Sequence, residues 1–456
     1  MKEFRSLSLL LTVLSSLLPF SLYCQWLEKT IPVGSYPWTL VHNPTDNKVY
    51  CANYEGGNVT VINKYDSVIK TISTESNPHA FAYNPLNNKA YCANANSSIM
   101  SVINGATDSL IVNITVGRAP HALVYNPLNN EVYCANNYSS NVTVISGATN
   151  SVITTIPAGS APEALVYNSM NNLVYCANAG SDNVTVIDCA TNSVITTIPV
   201  GNEPDALVYN SINNKVYSAN DISNNVTVID GESNSVILTI PVGDRPFALG
   251  YNYTNDKVYC ANANSCNVTV IDGATDSVIT TIPVGYFPYA LFYNSMNKKV
   301  YCANGGGDDV TIINGTTDSV IKTITVGGSP GAFAWDPIEN RTYVANYWSN
   351  TVSVIRDSII IGIEEDDIAL LPLAMTNGVE IYPNPARSFL AIRLPQTADC
   401  QNLKIFDVSG KLVKVEEKVT STQVHKEEVR VSLKGISPGI YFLRFGKQTK
   451  KFLVVR

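Results

Sequence analysis

The chain has 456 residues, enough for more than one domain. At 45% hydrophobic and 15% charged it has the composition of a folded protein, which excludes a disordered one. A net charge of −7 argues against a general nucleic-acid binder, which carries a basic patch.

Residues 1–24 read as a secretory signal. Lys2 and Arg5 supply the charged start, and the apolar run from Leu7 to Phe20 is too short to span a bilayer comfortably. Cleavage after Cys24 leaves Gln25 at the front. A lipoprotein signal at Cys24 is the competing reading, but Tyr23 is bulky where such signals take a small residue. No other segment reads as transmembrane.

Trp26 to Gly34 then looks like the last strand of a unit whose first three strands are missing. After it the chain repeats itself. Tyr-x-Ala-Asn begins at Tyr50, Tyr91, Tyr133, Tyr175, Tyr217, Tyr259, Tyr301 and Tyr343, with a first spacing of 41 residues and 42 thereafter. A fixed period of this length marks a repeat architecture. Each unit holds four short runs rich in Val, Ile, Tyr and Thr, parted by Asn-Asn, Asp-Gly or Gly-x-x-Pro, which are strand and turn signals. Four strands in about 42 residues match a propeller blade. The expected fold is all-β: a β-propeller of eight blades, seven if one copy is not used as a blade. The eighth unit, from Pro330, has three clear strands ending at Ile355 and a degenerate fourth over Ser358–Ile363. The N-terminal strand can close that blade and leave no open edge.

The phrases Lys299-Val300-Tyr301-Cys302-Ala303-Asn304 and Thr281-Ile282-Pro283-Val284-Gly285 resemble the YVTN β-propeller repeats of cell-surface and extracellular proteins, over roughly residues 26–363. The resemblance implies the fold more than a function, because related propellers include lactonases and lyases.

Cys51, Cys92, Cys134, Cys176, Cys260 and Cys302 occupy one blade position, where Ser218 and Val344 stand in the other two units. Such positions lie a blade apart, which does not suit disulfide geometry. Small buried thiols are the expectation. One Cys per blade also offers no tetrahedral zinc set.

Naming the strands A to D outward from the channel puts the D–A and B–C loops on one face. The A–B and C–D loops, on the other, vary little from unit to unit, whereas the D–A and B–C loops vary more. Variation gathered on one face suggests a recognition surface; drift in unconstrained loops is the alternative. The residue after each D–A proline opens strand A and should ring the channel mouth. In order these are Trp38, His79, His121, Glu163, Asp205, Phe247, Tyr289 and Gly331. Imidazole and carboxylate can ligate a divalent metal or act as general acid and base, although one-blade spacing argues against a shared ion. Trp38, Phe247 and Tyr289, with Arg245 nearby, suit a sugar or peptide, or simply cap the core. These eight residues, with Arg245 in place of Gly331, form the candidate ligand site; no cofactor, metal or catalytic set is assigned. There is no Gly-x-Ser-x-Gly, phosphate-binding Gly loop or His-Glu-x-x-His. The Asn-x-Ser/Thr sequons, as at Asn58 and Asn141, follow from the recurring strand phrase.

Residues 364–379 read as a linker. From Glu380 to Arg456 there are 14 Lys/Arg and 7 Asp/Glu, so this tail carries +7 and the rest of the chain −14. Three ordered blocks, Tyr382-Pro383-Asn384-Pro385-Ala386, Ile405-Phe406-Asp407-Val408-Ser409-Gly410-Lys411 and Leu433 to Arg444, precede a closing Lys451 to Arg456. They resemble the C-terminal sorting domain of the type IX secretion system. That implies a small Ig-like β-sandwich, the type IX export machinery as partner, and a secreted or outer-membrane-associated location. The expected function is a non-enzymatic binding scaffold for an extracellular glycan or protein. A lactonase- or lyase-like enzyme using His79, His121, Glu163 and Asp205, or a structural surface-layer component, are the alternatives.

Overall fold

Each repeat becomes one antiparallel sheet. In the first, Pro37–Asn43, Lys48–Asn53, Asn58–Asn63 and Val68–Ser73 lie side by side in chain order. Their β-branched and aromatic residues favour extended backbone. The intervening turns place Asn47 and Asp66 at positive φ, which short polar side chains tolerate. The computed structural model describes residues 25–357 and seven tail strands: Glu380–Tyr382, Phe389–Arg393, Leu403–Asp407, Leu412–Glu416, Glu428–Ser432, Gly439–Phe445 and Gln448–Val454. The expected signal over 1–24, the degenerate strand 358–363, the linker, Cys24 and Cys400 lie outside the described residues.

Seven such four-stranded sheets follow one another from Pro37 to Thr325. The eighth combines Pro330–Asp336, Arg341–Asn346 and Thr351–Asp357 with Gln25–Pro32 as its outer strand. That strand runs antiparallel to Thr351–Asp357, with Ile31 opposite Val352. The innermost strands of successive sheets adjoin around the whole ring, the first and eighth included. The result is an eight-bladed β-propeller closed by its N-terminal strand.

The core lies between blades. Tyr50, Val59 and Val61 of the first blade pack with Ala90, Cys92 and Ile103 of the second. The repeated tyrosine is the lock of this interface. It is fully buried, and its hydroxyl reaches the C–D turn of the next blade. Tyr50 donates to Asp108 at 2.7 Å, Tyr133 to Asn192 at 2.6 Å, Tyr217 to Asp276 at 2.6 Å and Tyr259 to Asp318 at 2.7 Å. Tyr343 of the last blade closes the circle on Asp66 at 2.7 Å. Tyr301 faces the eighth blade, whose outer strand is Gln25–Pro32 and is not joined to strand C by a C–D turn; Asp357 at the end of strand C supplies the acceptor instead.

The repeated asparagine works within its blade. Asn53 donates to Asn58 Oδ1 at 2.7 Å and to Thr60 Oγ1 at 2.8 Å, binding the B–C hairpin. Gly34 packs so close to this side chain that an added Cβ would lie 2.6 Å from Asn53 Cγ, which couples the Pro-Val-Gly phrase to Tyr-Cys-Ala-Asn. The six repeated cysteines are buried and unpaired, with their thiols held well above the usual range by burial.

The chain divides into two compact units, Met1–Ser358 and Ile359–Arg456. In the second, Glu380–Tyr382, Phe389–Arg393 and Glu428–Ser432 form a three-stranded sheet, and the other four described strands form a second sheet. The packing of these sheets as an Ig-like sandwich lies outside what the described residues define.

Candidate functional site

A β-bulge builds the channel mouth. In every blade the A–B register slips at the residue after the proline: Pro37 pairs with Asn53 and Thr39 with Ala52, leaving Trp38 without a partner. The same slip frees His79, His121, Glu163, Asp205, Phe247, Tyr289 and Gly331. A bulge twists the strand locally and re-aims the extra side chain. Here it brings these residues, one per blade, toward one another.

The residue before each proline is held at positive φ. On the A–B and C–D turns such positions are filled almost throughout by Asn or Asp, which tolerate them. In the D–A loops they are Tyr36, Asn77, Ala119, Ala161, Glu203, Arg245, Phe287 and Ser329. For residues such as Tyr, Arg and Phe this conformation costs about 1 kcal/mol or more each. A shared backbone bond fixes it. The carbonyl of the strained residue accepts from the first residue of the B–C loop, as in Tyr54 N to Tyr36 O at 2.8 Å and Tyr347 N to Ser329 O at 2.9 Å. The two variable loops therefore form one layer.

Six of the candidate residues make a continuous arc. Phe247 and Tyr289 lie 4.5 Å apart between ring centroids, and Tyr289 meets Trp38 edge-on at 6.4 Å. Trp38 and His79 are 5.0 Å apart, and His79 and His121 are 4.0 Å apart. His121 Nδ1 then sits 2.7 Å from Glu163 Oε2. Residues one blade apart therefore meet at the mouth, where the bulges leave them outside the strand pairing. His79 donates from Nδ1 to the His121 carbonyl at 3.0 Å. Burial, with the charge of His121 beside it, pushes the His79 pKa down to about 3, so that ring is neutral. Burial also pushes His121 down, but the hydrogen bond and charge of Glu163 outweigh it and raise its pKa. Glu163 accepts a further bond from Asn137 Nδ2 at 2.7 Å.

Asp205 and Arg245 behave differently. Burial, then the charges of Asp221, Glu163 and Glu203, push the Asp205 pKa up to about 7. Arg245 does not stay available beside the aromatics. It forks onto the buried Asp221 carboxylate, with Nη2 at 2.6 Å and Nε at 3.0 Å. Among the described residues no set of three or more His, Cys, Asp or Glu side chains is arranged to hold a metal ion.

The sequence marks the B–C loops as variable but does not single out the first residue of each, which forms a second ring. This ring contributes Tyr54, Asn137, Asp221 and Tyr347 to the contacts just described, and Trp348 follows Tyr347. The signal was available: the position after Tyr-x-Ala-Asn varies as freely as the one after the proline. At Gly331 the ring has no side chain, and a cavity of about 250 Å³ opens there, bounded by Trp38, Tyr289, Ser329, Tyr347 and Trp348.

Fold and mouth together define an eight-bladed propeller with one polar and one aromatic arc at its channel. A solved structure titled Kuenenia stuttgartiensis hydrazine synthase is similar over 72% of this chain and 97% of its own, with a TM-score of 0.53 and 20% identity. That likeness concerns the fold alone. Residues 380–456 match the family described as Secretion system C-terminal sorting domain. The protein is therefore secreted or placed on the cell surface, and its tail engages the type IX secretion machinery. No helix among the described residues is long and apolar enough to cross a membrane. No curated protein matches the chain.

Proposed function

We propose that the protein is an exported binding scaffold whose D–A and B–C face, centred on the channel mouth, recognises an extracellular glycan or protein. The carrying observation is the bulge repeated in all eight blades, which gathers Trp38, His79, His121, Glu163, Asp205, Phe247 and Tyr289 at one opening. Positive φ at residues that do not favour it, among them Tyr36, Arg245 and Phe287, supports the same face. The resemblance of the repeats to YVTN propellers agrees with a surface role. A ligand that binds only the folded state raises its melting temperature. Thermal unfolding of the full chain against glycan and peptide panels is expected to find such a ligand, and Trp38→Ala should remove its effect. Ligand-free assembly into ordered arrays, with no stabilising ligand, would replace this reading by a structural one.

One observation favours a second reading, a lactonase- or lyase-like enzyme. The His121–Glu163 pair lies near enough to Asp205 for their charges to act on one another, and the Asp205 pKa near 7 suits a general acid or base at neutral pH. Turnover of a lactone panel that is lost in His121→Ala would decide for it.

A further inference from the structure

We propose that the gap at Gly331 is an aromatic box for an organic ammonium group, with trimethylammonium as its best-fitting form. This deepens the scaffold reading and rests on the mouth being its recognition surface.

The shape of the cavity suits such a group. Trp38 stands at 77° to Tyr347 and at 82° to Tyr289, and Tyr347 stands at 81° to Trp348. All four rings line the same cavity. A flat sugar ring is served by one open aromatic face. Walls near right angles instead enclose a compact, rounded space, and the negative face of an aromatic ring attracts a cation. A cavity of about 250 Å³ falls below the range that holds drug-sized ligands, roughly 300–1,000 Å³, and suits a small head group.

The charge around the cavity suits it as well. Neither Lys, Arg nor His lines the cavity. The nearest imidazole, His79, is kept neutral by burial, and the Arg245 guanidinium is taken up by Asp221. Carboxylates do reach the box with their field. Burial, then Asp205 and Glu163, push the Tyr289 hydroxyl up to about 12, and Glu55 acts likewise on Tyr347. No cationic side chain lines the box to hold an anion.

The gap itself is particular to the eighth blade. The other seven blades place a side chain where the eighth has Gly331. The backbone does not require glycine: no positive φ occurs there, and an added Cβ would meet only the Tyr289 ring, at 3.6 Å and 3.8 Å. Glycine at this position serves the cavity and not the turn.

The test uses the full chain with choline as probe, followed by calorimetry and tryptophan fluorescence. Choline is expected to bind. Its carbon isostere, with a tert-butyl group in place of trimethylammonium, should bind about tenfold more weakly or worse. Gly331→Leu should abolish binding while leaving the thermal unfolding of the protein near wild type, because seven other blades carry larger residues there. Trp348→Ala, at a residue 65% exposed, is the second variant should the first misfold, and should weaken choline in the same way. Cosedimentation with phosphatidylcholine vesicles, lost in Gly331→Leu, would identify a lipid head group as the source; free choline binding alone would identify a soluble one. Equal binding of choline and its isostere, or no binding of choline, overturns the proposal. A glycan or peptide that binds wild type and is lost in Trp38→Ala, with choline silent, overturns the ammonium box and leaves the scaffold reading standing.

Discussion

Replacing Tyr217 by Phe removes one oxygen atom from the interface between the fifth and sixth blades. The ring stays packed, so the cost reports the hydroxyl alone. That hydroxyl is fully buried and donates to Asp276 Oδ1 at 2.6 Å, while Lys215 Nζ holds the other carboxylate oxygen at 2.7 Å. A hydrogen bond to a charged group contributes about 1.5–3 kcal/mol, and a neutral one about 0.5–1.5 kcal/mol. The chain contains its own neutral control. Tyr175 donates at 2.5 Å to Asn234, and Leu173 stands where the fifth blade has Lys215. Tyr217→Phe should therefore cost about 2 kcal/mol and Tyr175→Phe about 1 kcal/mol. Urea titration followed by circular dichroism measures both, with an unchanged slope as the sign that only stability has moved. Adding Asp276→Asn to Tyr217→Phe should recover part of the loss as a coupling between the two sites. Equal costs for the two tyrosines, or no coupling, would refute the view that these hydroxyls lock the blades through the charge of their acceptors.

Two further outcomes follow from other buried charges. Asp357→Ala should be worse than Asp276→Ala, by melting temperature and by urea midpoint. It strips the acceptor from Tyr301 and leaves Lys299, only 2% exposed, without the carboxylate 3.2 Å away. Breaking a buried pair this way costs about 3–5 kcal/mol; a loss no larger than that of Asp276→Ala would count against Asp357 as the closing latch. Asp205 supplies a pH test. Its folded pKa, about 7, lies above its ordinary value of 3.8, so protonation favours the folded state. The resulting stability is present in acid and is lost as pH rises through 7. Asp205→Asn should gain on wild type between pH 4 and pH 8, by about 1–3 °C in melting temperature after allowance for partial exposure. A difference that stays flat across that range would contradict the burial assigned to this carboxyl.

Much of the architecture was legible because it rests on near neighbours in the chain. The 42-residue period, the Val-Ile-Tyr-Thr runs and the Asn-Asp-Gly turns specify four strands per unit. The orphan strand ahead of Pro37 could be matched with the incomplete unit after Pro330 by counting alone. The same phase separates the uniform loops from the variable ones. The structure supplies the reason for the uniformity: C–D turns carry Asp or Asn at positive φ as acceptors for the preceding blade's tyrosine. The sorting motifs of the tail were likewise readable as ordered blocks.

What the sequence could not determine is how residues one blade apart meet. His79 and His121 are 42 positions apart, and a period says only that they share a ring, not that the rings touch at 4.0 Å. That distance depends on a bulge after each proline, which no residue type at that position announces. Arg245 looked like a partner for Phe247 and Tyr289, yet Asp221 captures it from the neighbouring blade. The box at Gly331 needed Tyr347 and Trp348 from a loop about 16 residues downstream as well as Trp38 from the other end of the propeller. Local pattern fixes strands and turns because their energies are set within a few residues. The mouth was decided by ring closure, since only a closed circle brings the first and eighth blades together and turns eight separate side chains into one surface.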